Sequence, residues 1–163
     1  MKSALLGICF IIGCFLVQGI AQADHTFKGA TVCKMCHSKQ YIKWQSVDHS
    51  KALSVLTGAN ATNAVCLKCH TTTTGSTESV GCERCHGAGS DYMKINVMKD
   101  YKTAVANGLN DLRTADGTAM DKDKAKTLCL QCHGTDHADN PNAKPFDFDA
   151  AWDKIKHDKA SLN

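Results

Sequence analysis

The sequence predicts a small, mainly α-helical protein with long loops and little or no sheet. Three observations predict it. The pentapeptide Cys-x-x-Cys-His occurs four times, and its two thiols and its imidazole share a face when the segment makes a helical turn. Between the copies, apolar residues recur at helical spacing, and no stretch alternates convincingly as a strand does. Aromatic residues make up only 6% of the chain, so its side chains supply only a modest core and another apolar body must fill the interior.

The pentapeptides name that body. They are Cys33-Lys-Met-Cys36-His37, Cys66-Leu-Lys-Cys69-His70, Cys82-Glu-Arg-Cys85-His86 and Cys129-Leu-Gln-Cys132-His133. This is the attachment pattern of c-type haem, in which two thiols reach the vinyl groups of one porphyrin and the following His reaches the iron. Four copies predict four covalently bound haems, whose flat apolar plates stand in for much of a side-chain core. The cysteines agree. Of ten, Cys9 and Cys14 lie in a leader, and the other eight all fall in the motifs. A disulfide framework would suit an exported chain, and paired cysteines also suit zinc, but neither needs His directly after the second Cys. The histidines agree as well. Beyond the four motif residues there remain His25, His49, His137 and His157, one for the second face of each iron. Four bis-His, low-spin haems of comparatively low potential would use every histidine.

Taken in order, residues 1–23 read as a secretory signal: Lys2, an apolar run from Ala4 to Val17, and the cleavage pattern Ala21-Gln22-Ala23. The run is short for a transmembrane anchor, and apolar residues continuing past Cys14 argue against a lipoprotein. Residues 24–163 then form one tetrahaem domain. A polar lead carries His25. Ser38 caps a helix from about Lys39 to Leu56, with Tyr41 and Trp44 as haem-packing core. His49 lies too far along that helix to reach the other face of the haem held by His37. Residues 57–64 form a loop, and the threonine-rich, Gly-marked link from Thr71 to Gly81 excludes a helix, which forces the second and third haems close together. Gly87 and Gly89 let the chain turn beside a porphyrin. Ser90 caps a helix from Asp91 to about Ala106 with the stripe Met93, Val97, Tyr101, Ala104, ended by Asn107-Gly108. Met93 and Met98 read as core filler rather than axial ligands. Residues 110–117 form a polar loop. Asp121 starts a helix that delivers the fourth motif and stops at Gly134. His137 follows in a loop, and Asp147 or Asp149 caps a last helix leading to His157. The uneven spacing of the motifs excludes a solenoid.

The formal charge of +3 does not argue for nucleic acid. Losing Lys2 leaves +2, four ferric haems with their propionates contribute roughly −4, and no basic stripe is interleaved with aromatics. Nucleotide-binding loops and hydrolytic triads are lacking too.

The segments CKMCHSKQYIKWQSVDHSKAL, VGCERCHGAGS and PFDFDAAWDKIKH resemble the tetrahaem cytochrome c-554 family, and the likeness extends over most of residues 30–158. The resemblance implies a helical, haem-packed fold with stacked haem pairs. It makes His49 the partner of His86 and His157 the partner of His133. It breaks where the family places a ligand for the first haem, because the segment GAGSDYMK has no His. His25 and His137 are therefore the candidates for the haems of His37 and His70, in either order, with His25 reaching a neighbouring subunit as a further alternative.

The function expected is that of an electron carrier, not an enzyme, working in the periplasm or outside the cell. It would pass single electrons between protein partners such as a quinol-side donor and a terminal reductase. Two rivals stand beside it: a nitrogen-oxide reductase with one open haem, and a subunit of a cytochrome filament or other homo-oligomer.

Overall fold

The computed structural model describes residues 24–73, 75–134 and 145–157. Residues 1–23, read above as a secretory signal, and His137 lie outside the described residues. The regular elements are helices, most of them short, and the only sheet-like feature among the described residues is an isolated antiparallel bridge between Arg113 and Met120. The helices are α1 (Ala30–Cys33), α2 (Ser38–Gln45), α3 (Ala64–His70), α4 (Cys82–His86), α5 (Ile95–Met98), α6 (Tyr101–Ala106), α7 (Lys122–His133) and α8 (Phe148–Ile155), with 3-10 helices at Asp48–Val55 and Gly58–Ala61. No helix among the described residues is long and apolar enough to cross a membrane.

Two long helices expected from the sequence are each broken in two. The first ends at Gln45, because serines compete for the backbone carbonyls that would carry it on. Ser46 Oγ donates to Lys43 O, and Ser50 Oγ donates to Val47 O. Val47 becomes extended, and a 3-10 helix resumes at Asp48. The residue preceding α2 in the cap position is His37, not Ser38. The second expected helix is interrupted at Asp100, whose carboxylate accepts the Thr103 N–H and hydroxyl and so starts α6 afresh. Ser90 caps nothing. Its backbone N–H donates to Thr26 O, and its Oγ accepts from Thr26 N. The later helices keep to the sequence reading. Asp121 caps α7, Asp147 caps α8, and α7 stops at Gly134.

The side-chain core is small. Among the described residues its buried apolar members are Ala30, Val80, Tyr92, Val97, Ala104 and Ala125. Met98 packs against the Tyr92–Val97–Ala104 cluster, as core filler should, whereas Met93 lies exposed. Tyr41 and Trp44 contact each other with ring centres 5.3 Å apart, and Trp44 Nε1 donates to Val80 O.

Buried polar groups provide much of the remaining order. Glu83 is 2% exposed. Its carboxylate accepts the backbone N–H of Lys28 (2.8 and 2.9 Å), Gly29 (2.6 Å) and Gly89 (2.6 Å). Glu78 accepts from Ala30 N and from the Thr72 hydroxyl. These two carboxylates fasten the N-terminal segment and α1 to the third motif. Removing an acceptor leaves buried N–H groups without partners, which costs more than the bonds themselves contribute. Glu83→Ala is expected to destabilise the haem-loaded protein by about 3 kcal/mol, read as a lowered midpoint in guanidinium denaturation with an unchanged slope.

Candidate haem sites

Each motif adopts the helical turn that the chemistry needs. The second motif lies in α3, the third is α4 itself, and the fourth ends α7. The first follows on from α1, with His37 N bonded to Cys33 O at 2.9 Å. All eight thiols are free. Their neighbours set the order of the motifs in space. The Cys33 and Cys82 thiols are within hydrogen-bonding reach, as are those of Cys69 and Cys132. Cys85 lies beside Cys129 and Cys132, and Arg84 reaches Cys132 Sγ at 3.4 Å. Motif one therefore adjoins motif three, three adjoins four, and four adjoins two. The second and third motifs also adjoin directly: Gly81 N donates to the Thr72 hydroxyl at 2.9 Å, and Arg84 lies near Cys69.

The imidazoles come next. His49 and His133 have ring centres 5.9 Å apart, and so do His86 and His157. Metal–imidazole bonds of roughly 2 Å put two rings on opposite sides of one metal at about this separation, so both pairs fit a bis-His iron. The partners are the reverse of those implied by the family resemblance, which joined His49 to His86 and His157 to His133. Packing explains the exchange. The 3-10 helix Asp48–Val55 and α7 both pack against α3, so His49 and His133 converge there. His133 is stacked on Phe146 (4.6 Å, 14°). From there the aromatic row Phe146, Phe148, Trp152 runs along α8 towards His157, which meets His86.

Burial favours the neutral, metal-binding form of His86, His49 and His37. It pushes His86 down to about 4, helped by the nearby His157 and His37. His49 is lowered by burial and then by His133, against an opposing effect of Asp48. His37 is lowered by burial and by His157.

Two further histidines are aimed by hydrogen bonds at Nδ1. His70 Nδ1 donates to Ala52 O at 2.6 Å, and His25 Nδ1 lies 2.9 Å from Asp91 Oδ2. An imidazole held at Nδ1 presents Nε2, the usual arrangement around a metal ligand. His25 is thus held within its own chain by Asp91. Ala52, Asp91 and Phe146 carried no signal in the sequence, because nothing local marks a residue that orients a distant ring.

Residues 19–87 match the family model of cytochrome c7 and related cytochrome c. The match takes in the first three motifs and ends one residue past His86. The fourth motif and the segment PFDFDAAWDKIKH lie beyond it. No curated protein and no solved structure matches the chain significantly. The matched family suggests a multihaem c-type cytochrome with a role in electron transfer, and the helical architecture is consistent with that.

The crossed histidine pairing has a direct check. His49→Ala is expected to add one high-spin ferric signal to the electron paramagnetic resonance spectrum of the whole protein. In a Cys129→Ala/Cys132→Ala background, which removes the fourth haem, the same substitution should add none.

Proposed function

We propose that this protein is an exported carrier of single electrons, holding four covalent haems, each between two histidines. The observation that carries the reading is the pairing of two motif histidines with second histidines at a spacing that one iron bridges. The chemistry then follows from what is attached. The haems supply reversible one-electron exchange, and the chain fixes their spacing, axial ligands and surroundings. With both faces of an iron occupied, no position is left for a substrate.

His37, His70, His86 and His133 are the motif-side ligands. His49 serves the fourth haem and His157 the third. His25 is assigned to the first haem. The residues that hold it, Asp91 and Gly108, adjoin the third motif, which lies against the first through Cys33 and Cys82. His137 is left for the second haem. Electrons would pass between the first haem and the third, and from there to the fourth and second, whose motifs both adjoin the third. Apolar residues left exposed in and beside the motifs, Met35 (76%), Val65 (59%) and Leu130 (43%), support the reading, since porphyrin is the surface that would cover them.

Carbon monoxide tests the proposal. Added to the reduced protein, it should leave the Soret band in place, and pyridine haemochrome analysis should count four haems per chain. A shifted Soret band would mark an open iron and favour the nitrogen-oxide reductase instead. A particle size that grows with concentration would favour the filament subunit.

A further inference from the structure

The ring of His25 is held by more than one bond. Thr26 is joined to Ser90 in both directions, Ser90 N to Thr26 O at 3.1 Å and Thr26 N to Ser90 Oγ at 3.0 Å. That fixes the backbone next to His25. The ring lies on Gly108, where an added Cβ would come within 2.9 Å of its Cδ2, and the positive φ of +100° also favours glycine there. On its Nδ1 side stands Asp91, whose carboxylate is itself fixed. Oδ2 takes His25 Nδ1 at 2.9 Å and the Ser90 hydroxyl at 3.0 Å, and Oδ1 takes Lys94 Nζ at 2.9 Å. A carboxylate with this many partners is an anchor for the imidazole, not a mobile surface charge.

We infer that Asp91 is the positioning residue of the first haem: it holds Nδ1 of His25, directs Nε2 to the iron and makes the imidazole a stronger donor. The inference rests on the reading of His25 as a haem ligand and names the group that aims it. It also accounts for a segment, GAGSDYMK, that has no histidine of its own yet lies at the site. The segment contributes the carboxylate, and the N-terminal lead contributes the ring. A carboxylate on Nδ1 gives the imidazole anionic character, which favours ferric over ferrous iron and lowers the potential of that haem.

The test uses the full, haem-loaded protein. Asp91→Asn should retain four haems, raise the midpoint potential of one of them and shift the largest g value of one low-spin signal. Lys94→Gln frees the carboxylate of its cation at an exposed side chain, and should lower the potential of the same haem. A bare change of charge would move the potential without moving the g value, so the spectroscopic shift separates aiming from simple electrostatics. His25→Ala should convert the same haem to high spin. If His25→Ala gives the high-spin signal but Asp91→Asn leaves every g value unchanged, the positioning role is overturned and the ligand assignment stands. If His25→Ala leaves all four haems low-spin, the ligand assignment fails and the inference falls with it. Should Asp91→Asn fail to take up haem, Lys94→Gln decides: an unchanged spectrum and potential overturn the role.

Discussion

Glu83 stands directly after the first cysteine of the third motif, and its carboxylate collects backbone N–H groups from the N-terminal lead and from the turn after His86. A carboxylate buried this deeply is tolerable only when it is fully hydrogen-bonded, so the three backbone segments around it have little freedom to drift. Through that one group, the lead that carries His25, the helix that carries Cys33 and the turn beneath His86 are set against one another. Glu78 repeats the device one layer away, gripping Ala30 and the threonine link. The buried Thr71 and Thr72 belong to the same polar layer, with the Thr72 hydroxyl joining Glu78, Ser79 and Gly81.

Such a framework suits a chain whose apolar interior is not made of side chains. The buried apolar residues are few and mostly small, and a conventional domain of this length would have a large contiguous core. Short helices, polar pins and exposed apolar side chains beside the motifs form a consistent whole once porphyrins are counted as the core. Short helices are poor folding units alone. The start of α1 is fixed by Glu83 and Glu78, the start of α3 by Asn63 and the start of α7 by Asp121.

Much of the local structure was legible. Asp121 and Asp147 announce helix starts because an N-cap is a local contact between a side chain and an N–H two or three residues on, and the helical turn of each motif follows from its own spacing. The two broken helices were not legible. Ser46, Ser50 and Asp100 can each continue a helix or divert its hydrogen bonds, and which they do depends on anchors elsewhere. Trp44 is tied to Val80 and Leu53 N to Ser79 Oγ, so tertiary contacts fix the break around Val47. Ser90 looked like a cap and serves instead as one half of a clasp on Thr26.

The sequence by itself determined the four Cys-x-x-Cys-His motifs, each with two thiols and an imidazole on one face, since those groups lie within five residues of one another and a single helical turn orients them. Only the tertiary structure decided which histidines lie against the third and fourth motifs. His49 meets His133, and His157 meets His86, because α3 gathers the 3-10 helix and α7, and because α8 leads its histidine to the third motif. Those partners are separated by more than seventy residues, and no local rule of spacing reaches that far. The resemblance joined His49 to His86 and His157 to His133, whereas the rings in contact are His49 with His133 and His86 with His157. The register between distant segments is set by packing, and packing is what the fold supplies.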